Sequence, residues 1–269
     1  MKGSGRVTSQ RRQRLLNQLE RQDSVRISEL AATFQVSEIT VRRDLDELAE
    51  QGLLERFHGG ARWIAKPRPD ETSFEEKPYL HAAEKDAIGA AAAALIKSED
   101  TVLLNGGTTT LAVLRHIKQP HVRVVTNNAA ATSEVNGTDI ELILLGGEYR
   151  ARSCSLFGDL ATLTLSQIHA SVCILGANGV SARTGLTTSV YPEAAINRLM
   201  AERCNGNVIA VTDGSKIGIT SNFASVPLLG VKILITDPSA NPDELAAIKA
   251  AGVQTIVVPS TNSLTKGDS

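Results

Sequence analysis

The sequence predicts a two-part α/β protein: a small N-terminal winged helix-turn-helix domain, then a larger C-terminal open α/β sheet domain. Three observations carry that prediction. Two amphipathic segments, "SELAATF" and "SEITVRRDLDEL", stand only a "QV" dipeptide apart and lead into a short alternating stretch around Gly59-Gly60. A proline-rich, charged stretch then breaks the pattern. Beyond it, seven apolar runs recur with helical segments between them. At 269 residues the chain has room for about two domains, and the breaks in pattern put them at 1–62 and 81–269, joined by a linker over 63–80.

The first element is a helix over 9–22, with Ser9 as its cap and Leu15, Leu16 and Leu19 on one face. The extended piece "SVRI" follows. Ser28 then caps a second helix that buries Leu30, Ala31 and Phe34, and Val36 plugs the turn from inside. A third helix starts after Ser37, and its Val41, Leu45 and Leu48 recur at helical spacing and face a core. Gly52 stops it as a C′ glycine, and "LLERFHGGARWI" reads as two short strands about a two-glycine turn. A helix-turn-helix followed by such a hairpin is a winged helix, whose second helix of the pair enters the DNA major groove. Ser37, Glu38, Thr40, Arg42 and Arg43 are therefore the candidate DNA contacts, with Arg56 and His58 on the wing for phosphate. Arginine donates two parallel hydrogen bonds to guanine O6 and N7, worth about 1–3 kcal/mol of discrimination. The alternative is that Arg42 and Arg43 pair with Asp46 and Glu47 along the helix, for a few tenths of a kcal/mol each.

Composition limits what else the chain can be. Apolar residues make up 42% and charged residues 21%, the balance of a soluble globular protein. No run of about 18 apolar residues could span a bilayer, and no apolar stretch near the N-terminus resembles a secretory signal. The three cysteines form no C-x-x-C pair, which points to a reducing, cytoplasmic setting. The five histidines lack metal-ligand spacing, so neither a zinc site nor another cofactor is expected. The formal charge of −1 is unevenly placed: residues 1–62 hold eleven Lys/Arg against nine Asp/Glu. Lys2, Arg6, Arg11, Arg12 and Arg14 face no acid within the first 14 residues, as either a DNA-touching arm or a solvated tail.

Past the linker, "TVLLN", "VRVVT", "IELILL", "VCILG", "NVIAVTD", "VKILIT" and "QTIVV" read as strands that are mostly continuous rather than alternating, as in a parallel sheet covered on both faces. Helices are predicted at 84–97, 108–118, 128–135, 159–168, 191–204 and 242–251. Open sheets of this kind bind ligands at the carboxyl ends of their strands. After the first strand, Gly106 and Gly107 let the backbone turn, and Thr108, Thr109 and Thr110 open a helix whose amides suit an anion. The sequence lacks G-x-G-x-x-G there, which weighs against a dinucleotide. Asn127 and Asn128 end the next strand, as sugar ligands or as helix caps. Gly147, Glu148 and Arg152 follow the third strand, Asn178 the fourth, and Asp213 with Lys216 the fifth; the last two also suit a structural ion pair.

The stretch "RISELAATFQVSEITVRRDLDELAEQGLLERFHGGA" resembles the N-terminal domain of the DeoR family of bacterial transcription regulators, in which "VS-x-x-T-[IV]-RRDL" is the recognition helix. The remainder resembles the family's C-terminal sensor domain through "EKDAIGAAAAALI", "GGTTTLAVL", "VVTNN", "LLGGEYR", "LGANGV" and "TDGSK". That sensor is similar in fold to ribose-5-phosphate isomerase and related sugar-phosphate enzymes. The resemblance implies a phosphorylated sugar as effector, with its phosphate at the threonine turn, and a dimer or tetramer acting on double-stranded operator DNA. Family members usually read "LDSGTT" where this chain has "LNGGTTT", so Asn105 replaces an acid. The related isomerases carry D-G-A-D where Leu175 to Asn178 reads "LGAN", and Glu193 alone stands where they keep a base or is a helix-start carboxylate. An isomerase needs both an acid and a base on the sugar carbons. The expected function is therefore a non-enzymatic regulator, a repressor of sugar or polyol uptake and catabolism genes with no membrane partner. The alternatives are a sugar-phosphate enzyme with an appended DNA-binding domain, or a ligand-dependent activator.

Overall fold

The computed structural model describes residues 24–50, 54–57, 59–63, 74 and 80–259. The expected helix at 9–22, the basic N-terminal segment, Gly52, His58 and most of the linker lie outside these residues. The chain divides into two compact units, Met1–Glu71 and Thr72–Ser269.

In the first unit, β1 (Ser24–Arg26) runs directly into α1 (Ile27–Phe34), followed by α2 (Glu38–Glu50), β2 (Leu54–Phe57) and β3 (Gly60–Trp63). The three strands pair antiparallel in the order β1-β3-β2. Ser28 is not the cap of α1: the helix begins at Ile27 with an extended Arg26 before it. The reason is tertiary. The Ile27 N–H, otherwise an orphan donor at a helix start, bonds to the Gly59 carbonyl at 3.0 Å. Gln35, left-handed at φ 53°, ends α1, and Val36 N–H closes back onto the Ala31 carbonyl at 3.1 Å. Ser37 does cap α2, accepting the Thr40 N–H at 3.3 Å. The hairpin differs from expectation by one residue. Phe57 pairs with Gly60, so the loop is 58–59 and Gly60 belongs to the strand. A Cβ on Gly60 would strike the Val25 carbonyl and the Phe57 ring. Leu30, Val41, Leu45 and Leu48 form the core with Val25, Ile27 and Ala61, each large side chain contributing about 1.5–3 kcal/mol by leaving water.

The second unit opens with α3 (Ala82–Ala93), β4 (Thr101–Leu104), α4 (Thr108–His116), β5 (Arg123–Thr126), α5 (Ala131–Glu134) and β6 (Glu141–Leu144). A hairpin of β7 (Glu148–Arg150) and β8 (Ser155–Phe157) leads to α6 (Asp159–Ser166) and β9 (Ala170–Gly176). Then come β10 (Gly179–Ser181), β11 (Gly185–Thr188), α7 (Tyr191–Glu202), β12 (Cys204–Val211), β13 (Phe223–Val226), β14 (Ile233–Thr236), α8 (Pro242–Ala250) and β15 (Gln254–Val257). Seven strands form one parallel sheet in the order β15-β14-β12-β9-β4-β5-β6. All seven are the predicted apolar runs. Their continuity has a direct cause, since residues alternate between two cores. Leu103, Val125, Cys173, Leu175, Ala210 and Leu234 pack on one face with α6, α7 and α8 residues. Val102, Leu104, Val124, Ile174, Ile209 and Ile235 pack on the other with α3 and α4 residues. Gly89 lets α3 approach α4 closely, because a Cβ there would lie 2.7 Å from the Ala112 backbone.

The sequence did not announce the β7–β8 hairpin or the small antiparallel sheet β10-β11-β13. Their segments, "EYR", "SLF", "GVS", "GLTT" and "FASV", are short and lack the unbroken apolar run that marks the parallel strands. The predicted helix at 128–135 shrinks to one turn, because Asn128 turns its side chain to the loop instead and accepts the Ala130 N–H at 3.1 Å. The chain order reverses between β4 and β9: β5 and β6 extend the sheet on one side, β12, β14 and β15 on the other. That is the topological switch point, where such sheets bind ligands.

Candidate nucleic-acid interface and effector site

On α2 the residues divide cleanly. Val41, Leu45 and Leu48 are buried, while Arg42 and Arg43 are exposed. Arg42 lies 3.5 Å from Glu38 and Arg43 3.9 Å from Glu47, each pair one helical turn apart. Exposed pairs of this kind are worth about 0–1 kcal/mol, so both guanidinium groups can be drawn to a stronger anion. Arg43 has the expected Glu47, but Arg42 takes Glu38 in place of Asp46, because Asp46 is bound to Arg56 at 2.9 Å. Arg56 also donates to the Arg42 carbonyl at 3.1 Å, tying β2 to the middle of α2. Its geometry is that of a residue holding the helix in place, where the sequence had suggested phosphate contact. Ser37 and Thr40 hydroxyls lie 2.9 Å apart at the start of α2, and Glu38 stands beside them. His58 lies outside the described residues.

At the switch point, Gly107 caps α4 with φ 152° and ψ 162°, a conformation open to glycine and strained for other residues. The first intrahelical bond runs from Leu111 N–H to the Gly107 carbonyl at 3.2 Å. The Thr108, Thr109 and Thr110 N–H groups therefore precede the helical ladder and point out of its positive end. Thr110 does not offer its hydroxyl, which is buried and bonds to the Asn105 and Gly107 carbonyls at 2.7 and 3.1 Å. Asn128 likewise braces the turn, donating to the Gly107 carbonyl at 3.0 Å. Asn127 is buried, donates to the Leu156 carbonyl at 3.0 Å, and leaves its Oδ1 without a partner. Gly106 has Ser155 on one side and Asn127 on another, within 3.1 and 3.8 Å of where a Cβ would stand.

Asn105 joins the two diverging strands. Its Nδ2 donates to the Gly176 carbonyl at 2.9 Å and to Asn197 Oδ1 at 3.0 Å, while its Oδ1 accepts the Gly176 N–H at 2.8 Å. An ionised aspartate could make neither donation.

Across the same edge, Glu193 at the start of α7 receives Ser155 Oγ on Oε1 at 3.2 Å and has Thr188 Oγ1 3.2 Å from Oε2. The Thr188 hydroxyl is also 3.1 Å from Asn178 Oδ1, and Ser153 and Ser155 hydroxyls lie 2.7 Å apart. Asn178 and Glu193, both half-buried, thus form one polar cluster with the buried Ser155 and Thr188, and Ser155 faces the α4 turn. Asn178 is an expected site residue, and Glu193, expected as a base or a helix-start carboxylate, lies in the first turn of α7. Ser155 and Thr188 were missed because they sit in the unannounced strands β8 and β11; the hydroxyl-rich "SCS" and "TTS" were the available signals.

Of the other predicted rim residues, Gly147, Glu148 and Asp213 serve the scaffold. Gly147, at φ 121°, leaves no room for a Cβ against the Phe157 carbonyl. Glu148 places Oε1 3.1 Å from the Cβ position of Gly158, at the start of α6, where a carboxylate complements the helix dipole. Arg152 is exposed, and its carbonyl accepts the Phe74 N–H at 2.8 Å. Asp213 is buried and caps the short turn Gly214–Lys216 by accepting the Ser215 N–H at 3.2 Å and its hydroxyl. Lys216 ends that turn, half-buried at the rim. Burial pushes the Cys173 thiol well up, with the neighbouring Cys204 adding to it, and burial raises Cys204 too, so neither is a ready nucleophile. Among the described residues no group of three or more His, Cys, Asp or Glu is placed to hold a metal. Nor is any described helix long and apolar enough to cross a membrane.

A winged helix-turn-helix presenting two exposed arginines, followed by a parallel sheet with a glycine–threonine turn at its switch point, is the architecture of a DNA-binding transcription regulator with a sensor domain. Residues 11–66 match the DeoR-like helix-turn-helix domain and residues 80–238 the DeoR C terminal sensor domain. The chain belongs to the DeoR family of transcription regulators. It is 34% identical over 264 residues to an Escherichia coli O157:H7 protein named as an aga operon transcriptional repressor, covering 95% of this chain and 97% of that one. It is 32% identical over 222 residues to the lactose phosphotransferase system repressor of Streptococcus mutans, covering 81% and 88%. Among solved structures, ribose 5-phosphate isomerase A of Methanocaldococcus jannaschii aligns over 51% of this chain and 54% of its own at 15% identity, with a TM-score of 0.37.

Proposed function

We propose that this regulator represses genes for uptake or catabolism of a sugar or polyol and leaves its operator when a phosphorylated form of that compound binds the sensor. The observation that carries the reading is the pairing, at one strand switch point, of an anion-binding helix start with a carboxylate–amide–hydroxyl cluster. The phosphate sits on the N–H groups of Thr108, Thr109 and Thr110, with the Thr108 and Thr109 hydroxyls beside it. Glu193, Asn178, Ser155 and Thr188 meet the sugar hydroxyls, and Lys216 supplies positive charge at the rim. Thr110, Asn128, Asn105 and Asp213 shape the site without touching ligand. In the DNA-binding domain, Arg42 and Arg43 exchange their helix-surface carboxylates for DNA, while Arg56 keeps the helix in register with the wing. The relatives named as sugar-system repressors favour the same direction of control. We assign the domains to 1–62 and 81–269 with a linker between, and a cytoplasmic homo-oligomer, dimer or tetramer, whose paired recognition helices meet two half-sites.

Retention of sheared genomic DNA from the source organism by the full-length protein tests this, followed by sequencing. Moderate salt is essential, because phosphate contacts dominate at low salt. Enrichment upstream of a carbohydrate operon, lost on adding that operon's phosphorylated intermediate, supports the proposal. Retention strengthened by the intermediate reverses the sign to activation, and release by the free sugar alone removes the phosphate from the reading.

A further inference from the structure

Ile39 is 78% exposed at the second position of α2. At 100° per residue it shares a helix face with Arg42 and Arg43, one turn further on, directly opposite the buried Val41, Leu45 and Leu48. A single exposed aliphatic residue is ordinary on a protein surface. This one stands where a recognition helix presents its first residues to base edges, between Ser37–Thr40 and the two arginines. Isoleucine is also a weaker helix former than the long polar residues that usually fill exposed positions, so the helix itself gains nothing from it. Its side chain has no polar atom, and the one apolar group that distinguishes base edges in the major groove is the thymine C5-methyl.

We infer that Ile39 reads thymine: in the operator complex its side chain packs on the C5-methyl of one thymine in each half-site. The arginines lie three and four residues on, about 4.5–6 Å along the helix. That distance is one to two base steps of roughly 3.4 Å, so the thymine falls within about two base pairs of an arginine-read guanine. The inference rests on α2 being the recognition helix.

The experiment selects duplexes from a random pool with full-length protein, then replaces each consensus thymine by deoxyuridine, which removes only the methyl. One thymine per half-site is expected to show weakening of about fourfold, or about 0.8 kcal/mol for a methyl-sized apolar contact. Ile39→Ala binds the thymine and deoxyuridine duplexes equally and loses selection at that position; Ile39→Val retains both. Alanine at an exposed helical site favours the helix, and a melting curve verifies folding. If Ile39→Ala still distinguishes the two bases, or no thymine near the guanine shows the penalty, the inference is overturned while the recognition-helix reading stands. If the wild type enriches no sequence at all, that reading falls and takes the inference with it.

Discussion

Replacing Asn105 by aspartate exchanges one NH2 for an oxygen at the point where β4 and β9 diverge. The native Nδ2 donates to the Gly176 carbonyl at 2.9 Å and to Asn197 Oδ1 at 3.0 Å, in a side chain only 3% exposed. Aspartate keeps the acceptor for the Gly176 N–H, and turning over the Asn197 amide lets it donate to the new carboxylate. The Gly176 carbonyl loses its donor outright. A buried acceptor stranded in this way costs about 1–3 kcal/mol. For a domain of this size each kcal/mol moves Tm by about 2–4 °C, so Asn105→Asp should melt roughly 2–12 °C below wild type at neutral pH. The pH dependence has a definite sign. Burial and the facing carbonyl hold the new carboxyl above its unfolded pKa of about 3.9. The deficit is then absent below the unfolded value, grows as pH rises towards the folded value, and is constant above it. Calorimetric scans of both proteins between about pH 7.5 and 4.5 should therefore show the gap closing on acidification. No gap at neutral pH, or one that does not change, would refute the assignment of Asn105 as a neutral tie between the strands.

Gly107→Ala meets only the Thr110 hydroxyl, 3.5 Å from the new Cβ, so its cost of about 1–3 kcal/mol is conformational; Tm should drop and stabilisation by inorganic phosphate disappear in a thermal-shift titration. An unchanged phosphate response would remove the turn from the anion site. For Asp237, burial raises the carboxyl, but hydrogen bonds from Ser239 and Gly214 and the His81 charge outweigh it and leave it lowered. A lowered folded pKa gives stability that is present above the unfolded value and lost as pH falls through the folded one. The urea-melt difference between wild type and Asp237→Asn should thus be constant near neutrality and shrink below about pH 4, whereas a difference that grows on acidification contradicts the assignment. Glu193→Gln should keep the thermal shift caused by inorganic phosphate and lose operator release by the sugar phosphate; a variant released as readily as wild type would take Glu193 out of the effector site.

The seven parallel strands were legible because each is buried on both faces and so reads as an unbroken apolar run. Their order was not, since nothing in "TVLLN" or "VCILG" says that β4 and β9 are neighbours. The glycine–threonine turn was legible as a strand-to-helix turn, with Gly107 as the cap and the threonines opening the helix. What local pattern could not divide was the labour among its residues. Thr108 and Thr110 are identical in sequence terms, yet Thr110 Oγ1 is occupied by two backbone carbonyls, a fact set by where the β4 turn closes. Asn127 and Asn128 differ in the same way. On α2, helical spacing separated core from surface correctly, but the partner of Asp46 comes from β2, beyond the reach of any spacing rule.

The polar cluster explains why phosphate alone should be a poor signal. A helix start accepts any anion, and its contribution at an exposed end is about 0.3–1 kcal/mol, rising to about 2 in a buried geometry. Moving a two-state regulator from 99:1 to 1:99 requires about 5.5 kcal/mol of differential affinity. The remainder has to come from the sugar end, and the native bonding there is poised to supply it. The Thr188 hydroxyl has one proton and two acceptors within reach, Glu193 Oε2 at 3.2 Å and Asn178 Oδ1 at 3.1 Å; Asn178 Oδ1 also accepts the Ser189 N–H at 3.4 Å, so Glu193 Oε2 is the acceptor that a ligand hydroxyl can take over. A sugar hydroxyl donated to that site makes a charge-assisted bond where Glu193 accepts it, among the stronger hydrogen bonds a neutral group can form. It also leaves Thr188 to donate to Asn178, beside the Ser189 N–H. On the proposed reading, discrimination and response therefore reside with Glu193 and its hydroxyl neighbours, and the threonine turn supplies the common anchor.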